Sequence, residues 1–369
     1  MLLIQTERNT LLAPLSATVG VVERRHTLPI LSNLLLEKKA GTLTLLATDL
    51  ELQVSTQLDN PGSGEDFAIT VAARKLFDIV RALPDGAKLK LDTKDKQVVV
   101  SAGKSRFTLQ TLPAADFPRM ETAAGLGEEI KLPQKTLKRL LQLVQFAMAS
   151  QDIRYYLNGM LLVLDGKMLR VVATDGHRLS YAETTLDTET TPLREVIIPR
   201  KTVQELVKLL SDVEDPVSLQ IGANQVTIRL PHTELVSKVV DGKFPDYQRV
   251  IPQNQPRQLK ADRQIVMQAL QRASILSNEK FRGVRLVMSE NTLGIICNNN
   301  EQEEAADEIE VQYAGEPIDV GFNVTYLLDG LGALGAEVIT LSLADANSSM
   351  LLTSDSEPGF KYVVMPMRI

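Results

Sequence analysis

Ala47-Thr48-Asp49-Leu50 stands near the front of the chain, and Ala173-Thr174-Asp175-Gly176 near its middle. Ala73-Arg74-Lys75 follows the first and Pro199-Arg200-Lys201 follows the second, at the same offset. Asp116-Phe117-Pro118 and Lys243-Phe244-Pro245 close the two units. A more divergent third copy has Ile296-Cys297-Asn298-Asn299 in the first position and Phe322-Asn323-Val324 in the second. The period of roughly 125 residues means duplicated domains, because solenoid repeats run about 20–50 residues. The repeats divide the chain into residues 1–126, 127–250 and 251–369, with linker-like stretches at Thr122 to Gly127 and Ile251 to Pro256. Repeated domains in a row suggest an arc or a ring, with function on a surface that all copies build.

Each unit reads as helix, strands, helix, strands. Leu12, Leu15, Val19 and Val22 recur at helical spacing in the first unit, as do Leu76, Ile79, Val80 and Leu83. Leu43 to Val54 reads as one strand, and Lys88 to Thr111 as strands broken near Asp95 and Gly103. In the second unit the stripes are Leu137, Leu140, Leu141, Val144, Met148 and Val203, Leu206, Val207, Leu210. The third unit has helices near 263–273 and 324–334, opened by the caps Asp262 and Asn323. Two helices among many strands give an α+β class, with the helices on one face of antiparallel sheet.

Hydrophobic content of 44% and charged content of 23% over 369 residues are those of a soluble globular protein. Aromatics are 4% with no Trp, so Leu, Val, Ile and Ala must pack the cores. The lone Cys297 fits a reducing cytoplasm. Met1 to Arg8 lacks the basic and apolar regions of a signal peptide, and no stretch is long enough to span a membrane. A net charge of −6 excludes coating of nucleic acid by global attraction, but not a local basic stripe.

Such a stripe is legible on the helices. Lys135, Lys138 and Arg139 have no acid opposite, Arg74, Lys75 and Arg81 face only Asp78, and Arg200, Lys201 and Lys208 face only Glu205. Arg263, Arg272, Lys280 and Arg282 extend the pattern, while Glu301, Glu303, Glu304, Asp307 and Glu308 are expected elsewhere. Lys and Arg without base-reading elements imply phosphate contact without sequence preference. Glu23-Arg24-Arg25-His26 and Gln151-Asp152-Ile153-Arg154-Tyr155-Tyr156 occupy matching loops suited to phosphates and stacked bases.

The best catalytic candidate is Thr174 to Ser180, with Asp175 and His177. No nucleophile elbow or phosphate loop accompanies it, and the first unit has no counterpart of His177. His26 and His232 show no ligand spacing, so neither a metal nor a cofactor is expected. Three readings stand: a non-catalytic DNA-bound protein, a peptide-binding adaptor without DNA, and a hydrolase using Asp175 and His177.

Thr27 to Asn33, Leu112 to Pro118, Arg154 to Met160, Thr174 to Leu179, Ser277 to Arg285 and the terminal Tyr362 to Ile369 resemble the beta sliding clamps of bacterial DNA polymerase III. The resemblance runs from end to end. It implies three DNA-clamp domains and a head-to-tail homodimer closed into a six-domain ring. The ring would encircle duplex DNA at the primer-template and act as a non-enzymatic processivity factor in the cytoplasm. Its implied partners are the polymerase alpha subunit, a clamp loader, other DNA polymerases and repair proteins.

The resemblance also assigns residues. DNA contacts fall on Arg25, Arg74, Gln151, Tyr155 and Tyr156. A partner-peptide groove falls on Leu157, Thr174, Gly176, His177, Arg178, Leu179, Pro245, Arg249, Val250, Asn323, Tyr326 and Ser349, and on Val363, Val364, Met365, Pro366, Met367 and Arg368. Its apolar members suit aliphatic or aromatic anchors, and His177, Arg178, Arg249 and Arg368 are expected to orient polar or acidic groups. The subunit interface sets Phe107 and Leu109 against Ile275 and Leu276, and Lys75, Lys104 and Arg106 against Glu301, Glu303 and Glu304. Arg25-His26 and Ile369 depart from the family's commoner residues.

Overall fold

A computed structural model describes residues 1–23, 27–59, 65–121 and 125–368. Repeat one runs β1 (Leu2–Glu7), α1 (Arg8–Val19), β2 (Asn33–Lys39), β3 (Thr42–Thr48), β4 (Leu52–Asp59), β5 (Phe67–Ala72), α2 (Ala73–Ala82), β6 (Lys88–Lys94), β7 (Gln97–Ala102) and β8 (Ser105–Gln110). Repeat two follows the same order with β9 (Ile130–Pro133), α3 (Gln134–Val144), β10 (Gly159–Thr174), β11 (Arg178–Pro199), α4 (Arg200–Leu209), β12 (Pro216–Ile221), β13 (Gln225–Arg229) and β14 (Thr233–Lys238). Here two long strands do the work of four. After a one-turn helix, α5 (Tyr247–Val250), repeat three comprises β15 (Arg257–Asp262), α6 (Arg263–Ala273), β16 (Gly283–Ser289), β17 (Thr292–Asn298), β18 (Glu304–Glu310), β19 (Ile318–Asn323), α7 (Val324–Ala333), β20 (Val338–Leu343), β21 (Met350–Thr353) and β22 (Phe360–Val364).

The pattern explains the elements. On α2, Leu76 and Val80 are buried while Arg74, Lys75, Asp78 and Arg81 face out. On β16 and β17 alternate residues are buried: Val284, Leu286, Met288, then Leu293, Ile295, Cys297. The Asp262 side chain accepts the N–H of Ile265, and that of Asn323 accepts from Thr325 and Tyr326, capping α6 and α7 as expected.

Two expectations need correction. Leu43 to Val54 is not one strand but the β3–β4 hairpin, because Asp49 accepts the N–H of Glu51 and Leu52 and turns the chain. Each repeat also opens on a strand (β1, β9 and β15), short enough to leave little periodic signal before its helix.

The chain forms two compact units, residues 1–135 with 204–239, and residues 136–203 with 240–369. The first holds the sheets β1-β6-β7-β8 and β5-β2-β3-β4-β14-β13-β12-β9. The second holds β10-β11-β22-β21-β20-β15 and β18-β17-β16-β19. Repeat two therefore gives its four short strands, β9, β12, β13 and β14, to a sheet shared with repeat one, through β4–β14. It gives its two long strands, β10 and β11, to a sheet shared with repeat three, through β11–β22.

Candidate functional site

The second unit carries an apolar cluster on one face of β10, β11 and β22. Leu161, Val163, Val172, Leu179, Tyr181, Ile197, Phe244, Tyr247 and Val363 form its buried part. Tyr156, Val240, Val250, Ile251 and Leu351 pack against it while half exposed. Its wall is set by the turn that joins β10 to β11. Thr174 Oγ1 donates to the carbonyl of Arg178 at 2.6 Å and accepts the N–H of Gly176 at 3.1 Å. Asp175 Oδ1 accepts from His177 and Arg178 at 2.9 and 3.1 Å. Gly176 sits at φ 90°, where a side chain is strained, and an added Cβ would lie 3.1 Å from the Arg154 guanidinium.

The same hydrogen bonds recur in repeat one, where Thr48 Oγ1 donates to Leu52 O and accepts from Leu50. There Leu50 occupies the left-handed position, at φ 76°.

Arg178 lies beneath the groove. Nε bonds Asp175 at 3.0 Å, one terminal nitrogen bonds Asp329 on α7 at 2.6 Å, and the other bonds the Phe146 carbonyl at 2.8 Å. Its guanidinium stacks on Tyr326 at 4.4 Å, with Phe146 at 5.5 Å on another side. The expectation that Arg178 orients acidic groups on a partner gives way to a structural part: it ties α7 to the β10–β11 turn. Tyr362, whose hydroxyl donates to the Tyr326 carbonyl, lies under this pair, and burial pushes its phenol up.

The remaining residues expected in the groove fall around this frame. His177 is exposed and stacks on Tyr326, ring centroids 6.5 Å apart. Leu157 and Thr174 are buried, Val250 is half-buried, and Pro245 and Arg249 are exposed, Arg249 pairing with Asp246. Val363 and Val364 are fully buried in β22. Beyond them the Met365 N–H donates to the His177 carbonyl and the Met367 N–H to Gly321, so the tail runs from the β10–β11 turn to β19. Ser349 contacts the Met365 sulfur at 3.0 Å. Pro366 is half-buried, Arg368 is exposed and Asn323 is spent on the α7 cap. Tyr181, Phe244, Tyr247 and Leu351 were missed by sequence reasoning. The aromatic Tyr247 after Phe244-Pro245 was the available signal.

The corresponding face in repeat one is a smaller cluster of Leu35, Leu46 and Phe117, with Ile30 and Ala114. There the strap after Phe117 is fastened down. The Gln53 amide accepts from and donates to Met120, at 2.8 and 3.4 Å, and Gln225 donates to the Glu121 carbonyl.

Gln151 and Tyr155 are exposed on a loop, Gln151 at φ 59° and Tyr155 at 57% exposure. Asn158 exchanges two hydrogen bonds with the Asp152 backbone, and the Arg154 guanidinium grips the Asp152 carboxylate. Those bonds from Arg154 hold Asp152 down at about 2. Tyr156 turns inward to the groove cluster, edge-on to Tyr155. Arg74 is exposed but donates to the Val22 carbonyl at 2.6 Å, as its repeat-two equivalent Arg200 does to Met148. Arg25 and Ile369 lie outside the described residues.

The reading of basic helix faces without acids is corrected as well. Arg139 pairs with Glu357, Lys135 with Glu214, and Arg272 with Asp307, whose acids come from other elements. Of the residues expected at a subunit interface, Ile275 is 78% exposed, Leu276 and Phe107 are half-buried and Leu109 is buried. Lys75, Lys104, Arg106, Glu301, Glu303 and Glu304 are exposed.

Models of the DNA polymerase III beta subunit match this chain in three pieces: the N-terminal domain over residues 2–121, the central domain over 131–246 and the C-terminal domain over 248–368. The chain is 48% identical to the beta sliding clamp of Salmonella typhimurium over 363 residues, covering 98% of this chain and 99% of that one. It is 47% identical to the Escherichia coli beta sliding clamp over the same span. The crystal structure of the Pseudomonas aeruginosa DNA polymerase III subunit beta superimposes with a TM-score of 0.93 at 44% identity, covering 99% of this chain and 100% of that one. The sliding clamp of the same organism bound to griselimycin gives 0.95 at 44% identity, with both chains fully covered. With all three repeats matched in order, the chain belongs to the beta sliding clamp family of bacterial DNA polymerase III.

Proposed function

We infer that this chain is a processivity clamp: two copies close head to tail around duplex DNA, and a groove on each tethers the polymerase and other replication and repair proteins. The observation that carries the reading is the apolar cluster around Leu179, Tyr247 and Val363, framed by the β10–β11 turn and the tail, in a chain matched end to end by the family. Arg74, Gln151, Tyr155 and Tyr156, together with Arg25, serve as sequence-blind DNA contacts. Retention is topological, so weak contacts suffice and permit sliding. Ile275 and Leu276 of one copy meet Phe107 and Leu109 of the other, with Lys75, Lys104 and Arg106 facing Glu301, Glu303 and Glu304. No step requires this chain to make or break a covalent bond.

The test is loading onto nicked circular DNA by a clamp loader, followed by linearisation. A clamp stays on the circle and runs off the linear form. Loss from both at equal rates sinks the ring reading and favours an adaptor. Griselimycin, bound by the Pseudomonas aeruginosa clamp, should displace a polymerase-derived peptide from this chain.

A further inference from the structure

Beside the groove, at the β15–β20–β21 end of the six-stranded sheet, lies a pocket of about 340 Å³. One row of paired residues crosses the sheet as Leu179, Val363, Leu351, Ser342 and Gln258. The first three belong to the groove's apolar cluster, and the last three line the pocket. Leu351 is the shared wall. The next row adds Thr353, Thr340 and Lys260, and Lys260 is paired with Asp355 at 3.4 Å. The linker behaves the same way: Val250 and Ile251 pack on the groove cluster, whereas Pro252, Asn254 and Gln255 face the pocket.

Gln255 is only 8% exposed. Its Nε2 donates to the carbonyl of the groove residue Ser349 at 3.1 Å, which fixes the amide. Its Oε1 finds no donor among the described residues. That oxygen is itself shut off from solvent, so the Gln255 amide shapes the pocket wall rather than meeting a ligand. The lining offers amides and hydroxyls, and its one cation is neutralised by Asp355. That chemistry suits an uncharged polar chain better than a phosphate or carboxylate. Val363 to Gln258 is three strand spacings, about 14 Å, which about four extended residues cover.

We propose that this pocket is a polar subsite of the groove, receiving the amide- or hydroxyl-bearing residues that flank the apolar anchors of a docked peptide. The proposal rests on the groove reading above. It makes the sequence beside the anchors a determinant of partner choice.

The test uses the full chain and a fluorescent pentapeptide with leucine and phenylalanine anchors. The peptide is lengthened at either end by Gly-Ser-Gln-Ser or by four glycines, and binding is read by anisotropy. At one end the polar extension should bind about tenfold tighter than its glycine counterpart. Gln258→Ala with Thr353→Val should erase that advantage and leave the pentapeptide's own affinity unchanged. If the pair lowers the thermal midpoint, Gln258→Ala alone, at an exposed strand position, carries the comparison. Equal binding of polar and glycine extensions at both ends overturns the subsite, as does an advantage that survives the substitutions. A pentapeptide that fails to bind at all overturns the groove itself, and the subsite with it.

Discussion

Leu50 and Gly176 occupy the same place in two copies of one turn, yet only Gly176 is free of strain there. A left-handed residue with a side chain costs about 1–2 kcal/mol, and glycine's extra unfolded-state entropy returns about half of that. Leu50→Gly should therefore stabilise the protein by about 0.5–1 kcal/mol, seen as a higher urea midpoint with unchanged slope. An unchanged or lower midpoint would mean that Leu50 packing outweighs the strain. Arg178 carries the opposite expectation. Arg178→Met leaves Asp175 and Asp329 facing each other without a cation. Asp329 is about a third exposed, so the cost should be about 2 kcal/mol, below that of a fully buried pair. A double-mutant cycle with Asp329→Asn should recover part of it, and no coupling would refute the tie. Burial pushes the Cys297 thiol up to about 11. The unfolded thiol ionises near its ordinary value of 9, so this group withdraws stability as pH rises from about 9 towards 11. In the native protein at pH 8, thiol reagents should label Cys297 only at the rate of unfolding.

At the scale of elements, β22 and the tail after it have separate parts. Val363 and Val364 are core, while Met365 and Met367 hold the tail by backbone bonds to His177 and Gly321. Truncation after Val364 should keep β22 and the fold, but weaken a polymerase peptide by well over about tenfold. Calorimetry paired with a thermal melt measures both, and a folded truncation with full affinity would move the groove elsewhere. Helices were the elements most legible in the sequence, because stripes such as Leu137, Leu141 and Val144 repeat at 3.6 residues and caps such as Asp262 mark their starts. The β3–β4 hairpin was not, because the apolar residues run on from β3 into the start of β4 and the turn rests on Asp49 and Leu50 rather than on glycine. The ion pairs of Arg139, Lys135 and Arg272 were illegible for another reason. Their acids are distant in sequence, and only tertiary pairing brings them near. For the groove, family motifs named the turn and tail residues, whereas Tyr181 and Leu351 enter it through strand register alone.

For the whole molecule the decisive property is assembly. Ile275, 78% exposed, and the half-buried Leu276 beside it are the residues the proposed interface uses from repeat three. Ile275→Ala with Leu276→Ala should give folded monomers by light scattering at micromolar concentration. A double variant that remains a dimer would remove these residues from the interface.

Repeat one carries a shadow of the groove, closed by the Gln53 clasp on Met120. The two repeats thus present similar clusters, and in repeat one the strap beside its cluster is held by the side-chain amides of Gln53 and Gln225. The two-chain ring proposed above would then offer one such berth per chain. On that clamp reading, replication and repair proteins would share those few berths in turn.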